Sequence, residues 1–293
     1  MTNPFRILCA VDASPPAAAA FEQALAMSAH REAQLVIVHA VSKDRAYNWG
    51  AVERMAALAT LRERAEALNI PVRVRVQQGD TAAVILLHAR TQGPDLIVLG
   101  SHEPVGFARL RFRSIADCVV KGATCPVLLV PAATTHITPT FRTVVCAIDL
   151  SSRSPAMITN VWRFAEDGAR LAFLHVRRRH HGRVAASKSP GATVVDERQR
   201  LQTMLDTHEL DSEVLVTVSS TSVHDEILRV ASEMKADLIV VGATRRAGLR
   251  RRFLGSTALR VSRRSPLPVL VLPAVNIKRE LSALDEAVLG WAA

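Results

Sequence analysis

The sequence predicts an α/β protein built from two tandem copies of one domain, each with a five-stranded parallel sheet. Two observations predict this fold class. Three short motifs occur twice, in the same order, along the 293 residues. Within each copy, short apolar runs typical of strands alternate with longer stretches that have the spacing of helices.

The repeat is visible in three pairs of segments. The first pair is Ile7 to Asp12 and Val144 to Asp149, the second is Asp95 to Gly100 and Asp237 to Gly242, and the third is Pro126 to Pro131 and Pro268 to Pro273. The offset is 149 − 12 = 137 at the first pair and 242 − 100 = 142 at the second. The second copy therefore has five extra residues, and the basic stretch 177–191 is the expected place for them.

The predicted strands of the first copy lie near 6–11, 34–41, 72–77, 95–100 and 127–130. Those of the second lie near 142–148, 171–176, 213–218, 237–242 and 268–272. Their runs are apolar throughout, as expected for strands covered on both faces. The first helix is expected to begin after Ser14 as N-cap, with Pro15 behind it. Strand–helix alternation of this kind implies right-handed crossovers and a parallel sheet.

These elements divide the chain into domain 1 (1–131), a linker (132–140), domain 2 (141–274) and a C-terminal helix (275–293). The tail has no counterpart in the first copy, and its apolar residues fall on one helical face. They are Ile277, Leu281, Leu284, Val288 and Trp291. This helix either docks on its own domain or binds a partner, such as a second copy of the chain.

The composition limits the function classes. The formal net charge of +10 comes mostly from arginine. It either suits an anionic partner such as a nucleotide, a nucleic acid or an acidic lipid, or reflects a GC-rich genome that prefers arginine codons. The aromatic content of 4% argues against a reader of single strands, which needs stacking faces. No apolar run is long enough for a membrane span and no signal peptide is visible, so we expect a cytoplasmic protein.

No catalytic or metal site is predicted. The sequence shows no nucleophile elbow, no paired carboxylates and no metal-ligand spacing, so we expect no enzymatic role beyond slow ATP hydrolysis. The four cysteines are interpreted as buried free thiols. His39 and His175 occupy equivalent positions at the ends of the second strands, which suggests a shared structural hydrogen bond.

A ligand site is expected at the carboxyl ends of the strands, where open parallel sheets bind ligands. Asp12 and Asp149 close the first strand of each copy, either as ligand-binding carboxylates or as helix N-cap acids. In the second copy, the strand ending at Gly242 opens a loop that closes with Gly255 and Ser256 at a helix start. Glycine and a helix start both favour phosphate.

In combination, these motifs resemble the universal stress protein family over about residues 5–131 and 141–273. The resemblance implies a Rossmann-like fold of the adenine-nucleotide α-hydrolase type and a role in the stress response. ATP-binding members have the motif Gly-x2-Gly-x9-Gly-Ser/Thr for the ribose and phosphates. Their first-strand acid and a second-strand backbone group contact the adenosine.

Carried over to this sequence, the family motif favours domain 2 as the ATP site. Domain 2 has Arg245 at a motif glycine position, whereas domain 1 has Glu103 and Arg113 at two such positions. Glu103 would repel phosphate and Arg113 would obstruct it. The predicted cofactor-binding residues are Ala147, Asp149, Val176, Val241, Gly242, Arg245, Gly255, Ser256 and Thr257.

Five arginines crowd the same loop, and they define the alternative function. They are Arg245, Arg246, Arg250, Arg251 and Arg252. They either clamp phosphates of the nucleotide or form a solvated loop. The alternative is a nucleotide-independent module that binds nucleic acid or another polyanion through these arginines.

The family resemblance also gives expectations for assembly. The apolar strands near 127–130 and 268–272 would be exposed edges unless covered, so we expect them to pair within the chain. A further homodimer and an unidentified protein client are expected partners.

Overall fold

The protein is described by a computed structural model over residues 4–41, 50–101, 114–134, 136–152, 154–178, 194–206, 212–219, 222–243 and 255–273. In domain 1, the strands are β1 (Arg6–Ala10), β2 (Gln34–Val41), β3 (Val72–Gln78), β4 (Leu96–Ser101) and β5 (Val127–Pro131). The helices are α1 (Pro15–Arg31), α2 (Ala51–Ala67), α3 (Thr81–Gln92) and α4 (Ile115–Gly122).

Domain 2 repeats this order. Its strands are β6 (Phe141–Ala147), β7 (Ala165–Arg178), β8 (Glu213–Ser219), β9 (Leu238–Gly242) and β10 (Val269–Leu272). Its helices are α5 (Ser154–Val161), α6 (Val194–Asp206), α7 (Val223–Glu233) and α8 (Ser256–Arg264). The insertion expected at 177–191 and the C-terminal helix expected at 275–293 lie largely or wholly outside the described residues.

The ten strands form one sheet in the order β3-β2-β1-β4-β5-β10-β9-β6-β7-β8. Pairing is parallel within each domain and antiparallel where β5 meets β10, with Leu129 opposite Val269 and Val127 opposite Val271. The predicted α/β fold and the predicted pairing of the two edges are both confirmed. Because the central pair is antiparallel, the carboxyl ends of the strands point in opposite directions in the two domains.

Two apolar layers cover the faces of this sheet, and each runs through both domains. One layer packs α1, α2, α5 and α6 on the sheet, and the other packs α3, α4, α7 and α8. Consecutive strand residues supply opposite layers: Ile7 and Cys9 face the first, whereas Leu8 faces the second. The continuous apolar runs of the sequence follow from this coverage on both faces.

The acid that opens the repeated Asp-Leu-Ile-Val motif has a structural role. Asp95 accepts a hydrogen bond from the backbone N–H of Arg6 at 2.9 Å, at the amino end of β1. Asp237 accepts one from the N–H of Arg142 at 2.8 Å, at the amino end of β6. These bonds satisfy strand-end donors that have no partner in the ladder.

The predicted start of α1 is confirmed, and the first helices of the two copies differ. Ser14 is the N-cap of α1, and its side chain accepts from the N–H of Ala17 at 3.3 Å. α1 has 17 residues, whereas α5 has eight. After α5 the chain enters β7 at Ala165, earlier than the strand expected from residue 171, and passes through Gly168 at φ +76°. That positive φ favours glycine and permits the irregular pairing at this end of β7.

No helix in the described ranges is both long and apolar enough to cross a membrane.

Candidate functional site

A cavity of about 790 Å³ lies at the carboxyl ends of the domain 2 strands. Such a volume suits a small-molecule ligand. Eight of the nine residues predicted from the sequence line it: Ala147, Asp149, Val176, Val241, Gly242, Gly255, Ser256 and Thr257. Arg245, the ninth, lies outside the described residues. Segments from β6, β7, β9 and α8, far apart in sequence, therefore converge on one space.

The first-strand acids differ between the domains in exposure. Asp149 is exposed, and its Oδ1 accepts from the backbone N–H of Ser151 at 3.0 Å and from the Ser154 hydroxyl at 3.5 Å. Asp12 is half-buried, and its Oδ1 accepts from both the N–H and the hydroxyl of Ser14. Since Ser14 also caps α1, the Asp12 carboxylate is held inside the helix-start network.

The amino end of α8 presents backbone donors to the cavity. Gly255 is its N-cap, with no side-chain capping bond among the described residues, and Ser256, Thr257 and Ala258 line the cavity. By contrast, α7 is capped by Ser222, which accepts from the N–H of Asp225 at 3.2 Å. The first N–H groups of a helix have no partner within the helix, so this end of α8 is suited to bind an anion.

The atoms packed against the glycine of the fourth strand also differ between the domains; this glycine is Gly100 in domain 1 and Gly242 in domain 2. A Cβ on Gly100 would come within 2.5 Å of the carbonyl carbon of Pro16 and 2.7 Å of the Ala17 nitrogen, both backbone atoms of α1. A Cβ on Gly242 would meet the Met157 sulfur at 2.6 Å. Helix backbone therefore presses on the strand in domain 1, whereas a flexible side chain covers it in domain 2.

Domain 1 contributes one wall of the domain 2 cavity, which the sequence did not predict. Because β5 runs antiparallel to β10, the amino end of β5 lies beside the carboxyl end of β10. Asp95, Thr124 and Cys125 line the cavity as a result. Arg163, at the cavity wall from the domain 2 side, approaches Asp95 with 3.4 Å between Nη2 and Oδ1.

The two equivalent histidines make equivalent bonds, as the sequence suggested. His39 Nδ1 donates to the carbonyl of Val11 at 2.8 Å, and His175 Nδ1 donates to that of Ile148 at 2.8 Å. Each bond ties the end of the second strand to the end of the first. His175 also lines the cavity, so this bond fixes part of its wall.

The cavity contains one thiol of low reactivity. Burial raises the pKa of the Cys125 thiol to about 12, so this sulfur stays protonated and weakly nucleophilic at neutral pH. Over the described residues, no three His, Cys, Asp or Glu side chains cluster in a way that could hold a metal ion. All four cysteines are free thiols, and Cys9 and Cys146 are buried while Cys118 and Cys125 are partly buried.

Comparison with known proteins assigns the class. A sequence model of the universal stress protein family matches residues 5–131 and 140–273. The chain therefore belongs to the universal stress protein family, with two matching domains in tandem.

Relatives of known sequence are similar to about one domain of this chain. Universal stress protein A homolog 2 of Coxiella burnetii is 38% identical in an alignment of 120 residues covering 37% of this chain and 82% of that protein. Universal stress protein YxiE of Bacillus subtilis is 26% identical over 144 residues, covering 43% of this chain and 97% of that protein.

Two solved structures match the whole fold. A universal stress protein from Archaeoglobus fulgidus has a TM-score of 0.70 at 19% identity, covering 92% of this chain and 98% of that one. A putative universal stress protein from Pseudomonas aeruginosa has a TM-score of 0.66 at 18% identity, covering 92% of each chain. At these identities the likeness supports the fold alone.

Proposed function

We propose that domain 2 binds ATP and that the protein acts as a regulatory module in the stress response. The observation that carries this proposal is the convergence of eight predicted nucleotide-contacting residues on one cavity. Four separate elements supply them, so the convergence depends on the fold rather than on one motif.

The residues present fit the two ends of an adenine nucleotide. The exposed Asp149 carboxylate can accept hydrogen bonds from ribose hydroxyls or from an adenine amino group. The N–H groups at the start of α8, with the exposed hydroxyl of Ser256, can donate to phosphate oxygens. Apolar side chains that line the same cavity, including Val241 and Ile227, can pack against the base.

Domain 1 is not expected to bind the nucleotide. Asp12 is half-buried at the start of α1, whereas Asp149 is exposed, and the backbone of α1 lies on Gly100. Glu103 and Arg113, the substitutions that the sequence places at motif glycines, lie outside the described residues. We therefore expect one nucleotide per chain.

A binding role is favoured over an enzymatic one because the cavity offers neither an activated thiol nor a metal cluster among the described residues. Occupancy of domain 2 would then act through a protein client. A cytoplasmic location and a homodimer remain expectations from the sequence.

Isothermal titration calorimetry with ATP tests the proposal on four variants that form two matched pairs. Asp149→Ala and Ser256→Ala should weaken binding, whereas Asp12→Ala and Ser114→Ala should leave it unchanged. We expect Ser256→Ala to cost about 0.5–1.5 kcal/mol, the range for one hydrogen bond, and Asp149→Ala to cost more.

Two outcomes would contradict the proposal. Two equivalents of ATP per chain would mean that domain 1 is also competent. Absence of ATP binding, together with tight RNA binding that falls steeply with salt, would favour the alternative in which the arginines bind a polyanion.

A further inference from the structure

A second, smaller depression of about 270 Å³ adjoins the cavity at the amino end of α8. Its lining residues are Ser222, Val223, His224, Ser256, Thr257 and Arg260. Val223, Ser256 and Thr257 line both spaces. A ligand that passes the start of α8 would therefore extend from the cavity into this depression.

On one side of the depression, the charged side chains are paired with each other in a closed hydrogen-bond network. Arg264 donates to Asp225 Oδ1 at 2.7 Å and to His224 Nε2 at 3.0 Å. His224 Nδ1 donates to the Ser222 hydroxyl at 2.8 Å, and that hydroxyl donates to Asp225 Oδ2. Burial is the main cause of the lowered pKa of His224; the Asp225 carboxylate opposes it, and the guanidiniums of Arg260 and Arg264 add to it. His224 is thus neutral, and Arg264 and Asp225 balance each other.

Arg260 also lines the depression, and it takes no part in this network. It is exposed, and it makes neither an ion pair nor a hydrogen bond with the described part of the chain. It lies four residues after Ser256, on the same face of α8 and about 6 Å further along the axis. The helix starts of α7 and α8 add partial positive charge at the same place.

Domain 1 lacks these groups at the equivalent positions. With the offset of 142, Arg260 corresponds to Cys118, His224 to Ala82 and Ser222 to Asp80. Asp80 caps α3 by accepting from the N–H of Ala83 at 2.9 Å. At these three positions domain 1 therefore has a carboxylate and no cation, whereas domain 2 has Arg260 and His224.

We infer that this depression binds the terminal phosphates of the nucleotide and that Arg260 makes domain 2 prefer nucleoside di- and triphosphates to monophosphates. The inference rests on the proposed function, since the adenosine half must occupy the cavity. Arg260 was not among the residues predicted from the sequence, because it lies inside a helix rather than in the glycine-containing loop.

The test is the affinity of adenosine, AMP, ADP and ATP for the full chain and for Arg260→Ala. The original chain should bind ATP about tenfold more tightly than AMP, which corresponds to about 1.4 kcal/mol. Arg260→Ala should remove most of that difference and leave adenosine and AMP affinities within about twofold. Arg198→Ala, which removes one exposed arginine from α6 of the same domain, is the matched control and should change none of them.

Three results would overturn the inference. Equal affinity for AMP and ATP in the original chain would show that no terminal phosphate is held. An unchanged preference in Arg260→Ala would assign the contact to other residues, such as the loop arginines, and an equal effect of Arg198→Ala would show a general charge effect. In all three the proposed function survives if adenosine or AMP binds. If none of the four ligands binds, both the inference and the proposed function are wrong.

Discussion

Alanine at the two fourth-strand glycines tests the structural difference between the clefts. Gly100→Ala would place a Cβ 2.5 Å from the carbonyl carbon of Pro16, about 0.9 Å short of the 3.4 Å at which ordinary contact begins. The obstructing atoms are backbone of a capped 17-residue helix, so α1 would have to shift as a body. Overpacking of this kind costs about 1–3 kcal/mol, and we expect a loss near the upper end.

Gly242→Ala should be tolerated. Its Cβ would meet the Met157 sulfur at 2.6 Å, but a thioether on three rotatable bonds can swing aside. Replacing glycine inside a strand also recovers about 0.5–1 kcal/mol of backbone entropy. The free energy of unfolding should therefore change by less than about 1 kcal/mol. In a double-mutant cycle, Gly242→Ala should cost less in the Met157→Ala background than in the original chain.

Urea unfolding followed by far-UV circular dichroism measures both variants under identical conditions. A loss in Gly100→Ala at least about 1 kcal/mol larger than in Gly242→Ala is the expected result. Equal losses would refute the reasoning, because they would mean that Met157 is held as rigidly as the helix backbone and that both clefts are equally closed.

Three further predictions concern stability and reactivity. Asp117→Ala should lower the free energy of unfolding by about 1.5–3 kcal/mol in urea titrations, since it breaks the charged hydrogen bond between buried Asp117 of α4 and partly exposed Arg263 of α8; an unchanged value would show that this pair does not contribute to domain pairing. Iodoacetamide at pH 8 should modify partly buried Cys118 well before Cys9, whose thiol pKa is raised by burial, and peptide mass spectrometry that found the reverse order would contradict the burial pattern. Burial lowers the pKa of His39, so the unfolded chain takes up the proton first and the free energy of unfolding should fall as the pH drops below about 6.5; His39→Asn should reduce this fall, and an equal slope in both proteins would exclude His39 as its source.

The sequence predicted the sheet and the pairing of its two halves because both follow from local patterns. Apolar runs mark the strands, the repeat marks their order, and an exposed apolar edge needs a partner. The early start of β7 was not predicted. It depends on Gly168 at positive φ and on irregular pairing with β6, and neither produces a periodic apolar signal.

For the candidate site, the sequence identified residues that belong to a motif and missed those brought in by tertiary structure. Asp149 and Ser256 stand out because they follow a strand and open a helix. Asp95 and Cys125 reach the cavity only because β5 and β10 run antiparallel. The predicted edge pairing was the one available signal, but the prediction did not include its direction, and the antiparallel direction is what places the amino end of β5 at the domain 2 cleft.

Because both domains share a single sheet, the two halves of the chain can accumulate different substitutions. In a homodimer of identical subunits, every substitution at the cleft appears twice, so loss of one site is loss of both. Here the paired halves are encoded separately, and β5 and β10 keep their apolar contact whatever happens at the clefts. One half is therefore free to lose its glycines while serving as scaffold and wall for the other. With only domain 2 binding the nucleotide, as proposed, covalent pairing would give one site and one support, in a fixed ratio at any protein concentration.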